Sequence, residues 1–111
     1  MITIQDKSIT VSQGDTFTTL FQLNSNGYKL SGTETVYFGI KINLDDTTPI
    51  LSVACGLDVL NNIISVYIPK TTMSTLLAGN YFYDIVLNNG DMRMSLLYSS
   101  PFIIKEVCHN V

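Results

Sequence analysis

Leu76-Leu77-Ala78-Gly79-Asn80-Tyr81-Phe82-Tyr83-Asp84-Ile85-Val86-Leu87, closed by Asn88-Asn89-Gly90-Asp91, holds three structural signals in one short span. Upstream, Pro69 to Gly79 breaks the surrounding alternation. It offers a threonine cap, Met73, Leu76 and Leu77 at i, i+3 and i+4, and a glycine where a helix C-cap favours positive φ. The pattern predicts one short helical corner near residues 71–78, plugging the end of a sandwich as it crosses between sheets. Tyr81, two residues past Gly79, has the spacing of a tyrosine corner, whose hydroxyl ties such a crossing to nearby backbone. Leu77, Gly79 and Tyr81 therefore form a structural corner. Tyr81, Tyr83, Ile85 and Leu87 then alternate as a half-buried strand does, and Asn89-Gly90 predicts a type I′ hairpin into Met92–Tyr98.

The same grammar extends in both directions. Turn signals recur at Gly14-Asp15, Asn26-Gly27, Ser31-Gly32, Asp45-Asp46, Gly56, Asn61-Asn62 and Ser99-Ser100-Pro101. Between them lie Ile9 and Val11; Phe17, Thr19, Phe21 and Leu23; Val36, Phe38, Ile40, Ile42 and Leu44; Ile50 to Cys55; Ile64, Val66 and Ile68; and a closing run from Phe102 to about Val107. The expectation is an all-β, immunoglobulin-like antiparallel β-sandwich of about 7–9 strands, a single domain over residues 1–111.

Hydrophobic residues make up 46 % of the chain and charged ones only 14 %, well under the usual quarter. A chain so poor in charge hides much of its surface or meets a partner. Net charge is −3, and Lys7, Lys29, Lys41, Lys70, Arg93 and Lys105 are scattered, so no basic stripe is available for phosphates and no nucleic acid partner is expected. No apolar run reaches the roughly 20 residues of a membrane span. The first residues lack the basic start and apolar core of a signal peptide, so cytoplasmic synthesis and no membrane partner are expected. Cys55 and Cys108 have no metal-ligand spacing. Two reduced thiols are expected, with a Cys55–Cys108 pairing left open. Where antibody-type domains carry their inter-sheet disulfide, apolar packing of Phe38 or Ile40 with Tyr83 is expected instead.

No catalytic constellation is legible, and neither a cofactor nor a metal is expected. His109 is the single histidine and sits near the chain terminus. Asp45-Asp46, Gly14-Asp15 and Gly90-Asp91 read as turn residues, and Asp84 as half of an outward cross-strand polar pair. Calcium-loop, nucleophile-elbow, zinc-helix and phosphate-loop patterns are all missing. The chain is not expected to be an enzyme.

Strand parity instead directs attention outward. Opposite the inward set lie Tyr37, Ile63, Tyr67, Phe82, Val86 and Leu97, where a solvated sheet face would carry polar groups. An exposed apolar patch marks a contact surface, so these six are the candidate interface. A one-residue slip in parity would exchange the faces and bury them. The alternative use of exposed tyrosines is to stack sugar rings.

In order along the chain, Ile9-Thr10-Val11-Ser12-Gln13-Gly14-Asp15-Thr16-Phe17, Asn26-Gly27-Tyr28-Lys29-Leu30-Ser31-Gly32 and Val36-Tyr37-Phe38-Gly39-Ile40-Lys41 are followed by Leu77-Ala78-Gly79-Asn80-Tyr81-Phe82-Tyr83-Asp84-Ile85 and the Asn89-Gly90 hairpin. Phe102-Ile103-Ile104-Lys105-Glu106-Val107 closes the series. This order resembles the immunoglobulin-like domain of bacteriophage structural proteins, and is similar to the N-terminal domain of phage baseplate upper proteins and tail-fibre modules. The resemblance implies a non-enzymatic virion module that binds other virion proteins, as a homo-oligomer or in repeated copies. Longer members continue past this domain, whereas this chain stops at Val111. A stand-alone accessory subunit of tail, collar or head is thus expected, with a phage-borne module for host-surface glycans as the alternative.

Overall fold

The computed structural model describes residues 2–5, 7–23 and 28–107. Among these, strands β1 (Ile2–Gln5), β2 (Ser8–Ser12), β3 (Phe17–Gln22), β4 (Thr35–Lys41), β5 (Leu51–Ala54), β6 (Gly56–Asp58) and β7 (Ile63–Ile68) precede one helical turn, α1 (Lys70–Met73). Strands β8 (Gly79–Asn89) and β9 (Met92–Lys105) follow. They form two packed sheets, ordered β1-β2-β9-β8-β4-β5 and β3-β7-β6. The chain is an all-β sandwich of nine strands among the described residues, within the 7–9 expected from the sequence. One detail differs: β2 runs parallel to β9, so the larger sheet is mixed rather than purely antiparallel.

Each strand buries the alternate residues that its sequence marks as apolar. Phe17, Phe38, Tyr83 and Phe102 meet at the centre, all fully buried. Phe38 stacks on Tyr83 at 5.2 Å between ring centroids, and Phe17 meets Phe102 edge-on at 5.4 Å. Such pairs contribute roughly 0.5–1.5 kcal/mol each beyond burial. Phe38 and Tyr83 lie on neighbouring strands of one sheet, however, so they do not bridge the layers. Phe17 and Phe21 of β3, respectively 5.6 Å from Phe38 and 6.4 Å from Tyr83, make the inter-sheet contacts. Cys55 is a free thiol packed against the core; Cys108 and His109 lie outside the described residues.

The corner forms largely as read. The Tyr81 hydroxyl donates to the Leu77 carbonyl at 2.7 Å, and α1 carries the chain from the smaller sheet to the larger with Met73 buried beneath it. The helix is shorter than expected and begins after Pro69, without a side-chain cap. The Ser74 and Thr75 hydroxyls bond back to the Lys70 and Thr72 carbonyls, a local alternative to continued helix. Gly79 starts β8 rather than closing a helix, and it is not among the positive-φ glycines. The hairpin turns one residue later than predicted: Asn89 pairs with Met92, leaving Gly90 and Asp91 at the tip. Only Gly90 has positive φ there, which is the II′ pattern and not I′.

Candidate functional site

The structure divides the six candidate interface residues among three places. Tyr37, Phe82 and Val86 lie on the outer face of the six-stranded sheet. Tyr37 pairs with Val86 on one side and Ala54 on the other, while Phe82 pairs with Pro101, two residues from outward Ile103. Ile63 and Tyr67 lie on β7, hence on the outer face of the opposite, three-stranded sheet. Leu97 faces inward: it pairs with core residue Ile85 and packs against the core. Register irregularities in the β8–β9 ladder around Ile85 shift the parity of β9, and strict alternation cannot foresee a bulge.

The outer face of the larger sheet is itself interrupted. Asp84 stands between Phe82 and Val86 and pairs with Lys41, whose ammonium lies 4.0 Å from the carboxylate, as the expected outward polar pair. Across from Asp84 is buried Gly39, where an added Cβ would come within 3.3 Å of Pro49. The β4–β5 connection therefore crosses the sheet at this glycine. Two apolar islands remain, Tyr37 with Val86 and Ala54, and Phe82 with Pro101 and Ile103. Tyr37 is 40 % exposed; Phe82, Val86 and Ile103 are half-buried.

On the opposite face Tyr67 is 62 % exposed and Leu20 of β3 is 64 % exposed. Thr18 pairs with Tyr67, and Leu20 lies in the adjacent row. Leu20 was missed as a surface residue, although its parity opposite Phe17, Thr19 and Phe21 was available in the sequence.

A second feature was not anticipated. The segment 28–34 has no regular structure, yet Leu30 and Glu34 within it are buried. Glu34 Oε2 accepts from the Tyr28 hydroxyl and the Ser31 amide, both at 2.8 Å, and from the Ser31 hydroxyl at 3.1 Å; Oε1 accepts from the Gly32 amide at 2.9 Å. Burial by itself raises the pKa of this carboxyl. The Ser31 amide, Tyr28 hydroxyl and Gly32 amide outweigh burial and hold it down at about 2. The same hydrogen bond raises the Tyr28 phenol. Asn62, in the left-handed region at φ 57°, completes the anchor. Its side chain accepts from the Leu30 amide and donates to the Tyr28 carbonyl, each at 2.8 Å.

Titratable groups near the core are not poised for chemistry. Burial pushes the Cys55 thiol up to about 11 and the Tyr83 phenol up to about 12. A thiol so raised is protonated at neutral pH and a weak nucleophile. Tyr83 instead donates to the Lys7 carbonyl, fastening the β1–β2 turn to the core. Asp58 caps its own turn through the Asn61 amide and side chain. Among the described residues no three His, Cys, Asp or Glu side chains gather where a metal would need them. No described helix is long and apolar enough to cross a membrane.

No protein-family model matches the chain, and no curated protein matches it. Among solved structures, the chain is similar to an uncharacterized protein from Bacillus anthracis, at 21 % identity and a TM-score of 0.41. That match covers 88 % of this chain and 76 % of the other.

Proposed function

We propose that this chain is a non-enzymatic bacteriophage virion subunit that acts through protein–protein contacts. Its partners are other virion proteins, met on the outer face of the six-stranded sheet. The observation that carries the contact is the pair of apolar islands there, Tyr37–Val86–Ala54 and Phe82–Pro101–Ile103, flanking the Lys41–Asp84 pair. Burial at about 25 cal/mol per Å² makes a few hundred Å² of such surface worth several kcal/mol before association costs. The central ion pair would supply register and discrimination more than affinity. The assignment to a virion rests on the motif resemblance from Ile9 to Val107, and the contact rests on the islands.

A phage-borne glycan-binding module is the weaker reading. Tyr37 and Tyr67 lie on opposite faces, so they share no stacking platform.

Cross-linking mass spectrometry on intact particles tests the proposal. The chain is expected among the particle proteins, with cross-links from Lys41 or Lys105 to a different protein, and Tyr37→Arg is expected to reduce its incorporation. Absence from purified particles, or unchanged incorporation of both Tyr37→Arg and Phe82→Arg, would overturn it.

A further inference from the structure

The two sheets differ in how their edges end. The larger sheet closes on β5, four residues long and entered past Pro49, and on β1, also four residues. The smaller closes on β6, only three residues with Asp58 at its end, and on β3. Short edges, prolines and charges are the usual protection against adding a strand. β3 has none of these. Phe17-Thr18-Thr19-Leu20-Phe21-Gln22 is six residues long, uncharged and without proline, and its register with β7 is unbroken. Among the described residues no strand pairs with its outer edge.

The Leu23 amide donates to the Asn62 carbonyl at 3.0 Å, so Leu23 faces β7 in a hydrogen-bonded position. Antiparallel ladders alternate. Phe17, Thr19 and Phe21 therefore also bond β7, and the N–H and C=O groups of Thr18, Leu20 and Gln22 point to the open edge. The inward side chains beside that edge are incompletely covered. Thr19 and Phe21 are only half-buried, and a cleft of about 390 Å³ lies against Phe21, Leu96, Leu97 and Lys7.

We propose that this edge is a self-association site at which a second copy of the chain pairs antiparallel through its own β3, about a two-fold axis at Leu20. Only registers that keep inward residues opposite inward residues are allowed. Centring on Leu20 satisfies this rule and matches every outward-pointing backbone group: Leu20 with Leu20 of the second copy, Thr18 with Gln22 and Gln22 with Thr18. About six main-chain hydrogen bonds result. Phe21 lies beside Thr19 of the second copy, covering the half-buried inner edge. The two exposed leucines meet at the axis. Because the strand is uncharged, its self-pairing sets no like charges opposite one another. The contact is isologous and closes as a dimer, joining two three-stranded sheets into one of six. It uses neither apolar island of the other sheet, so it stands or falls separately from the virion contact.

Light scattering over a rising concentration series of the full chain reads the mass directly. The expectation is a doubling from 12.3 kDa. Leu20→Pro is expected to remain monomeric with an unchanged circular dichroism spectrum, because it removes only an edge-facing donor. Leu20→Lys is expected to do the same by placing two ammonium groups at the axis. Leu20→Cys, in a Cys55→Ser, Cys108→Ser background, is expected to be joined into a covalent dimer by a short thiol–thiol cross-linker, since the paired Cα atoms lie about 5.5 Å apart. A wild-type chain that stays monomeric at the highest concentration overturns the proposal and leaves a strand of a different protein as the edge's occupant. A dimer that survives both Leu20→Pro and Leu20→Lys overturns it as well.

Discussion

The aromatic centre and the segment 28–34 are held by opposite physical means. In the centre Phe17, Phe38, Tyr83 and Phe102 are fully buried in regular strands, and apolar contact supplies the stability. The segment has no strand ladder to satisfy its backbone, so Glu34 and Asn62 act as surrogate ladder partners for Tyr28, Leu30, Ser31 and Gly32. A buried amide costs free energy unless paired. Where chain geometry denies the segment a strand partner, the side chains of Glu34 and Asn62 provide the acceptors. One region therefore depends on volume, the other on a single carboxylate's charge.

The contrast is open to direct attack. The largest effect is expected from Tyr83→Ala, which removes the ring stacked on Phe38 and the hydrogen bond to Lys7. A loss of about 3–5 kcal/mol, measured by urea unfolding, should change little with pH through the acidic range. Glu34→Gln comes next, at about 2 kcal/mol near neutral pH, because the amide loses the charge-assisted bonds and cannot accept as many donors. Its deficit should depend on pH. The folded carboxyl ionises at about 2 against an ordinary 4.5, so its contribution is complete above about 4.5 and disappears as pH falls toward 2. Thermal unfolding of both variants from pH 7 to 2 decides the matter: parallel profiles would erase the proposed difference, and converging curves for Glu34→Gln alone would establish it. Tyr81→Phe is the finest probe. It deletes one hydroxyl bond at the half-exposed corner and should cost about 1 kcal/mol in the same assay.

Legibility followed the same division. The inward residues of β2, β3, β4, β7 and β8 were all marked by alternation, because a half-buried strand has period two. Tyr81 was readable from its spacing to Gly79, a local property. Glu34 was invisible, since a lone glutamate in a polar stretch looks solvated until the fold wraps four donors around it. Asn62 was seen as a turn residue, but its bonds to Tyr28 and Leu30 span more than thirty positions. Leu97 was placed outward because the bulged ladder of β9 reverses a parity that counting assumes to be constant.

Local patterning alone thus established that the chain alternates apolar residues between closely spaced turns, which commits it to stacked β layers with a greasy interior. Such patterning acts within a few residues, and it names which side of an unbulged strand is buried. Assigning each strand to a sheet required the assembled chain. Tyr37 and Tyr67 read alike in sequence yet lie on opposite faces, and Leu20 borders an open edge only because no described strand lies beyond β3. Pairing between distant strands is decided by how the whole chain closes over its core, and no single strand's residues carry that information.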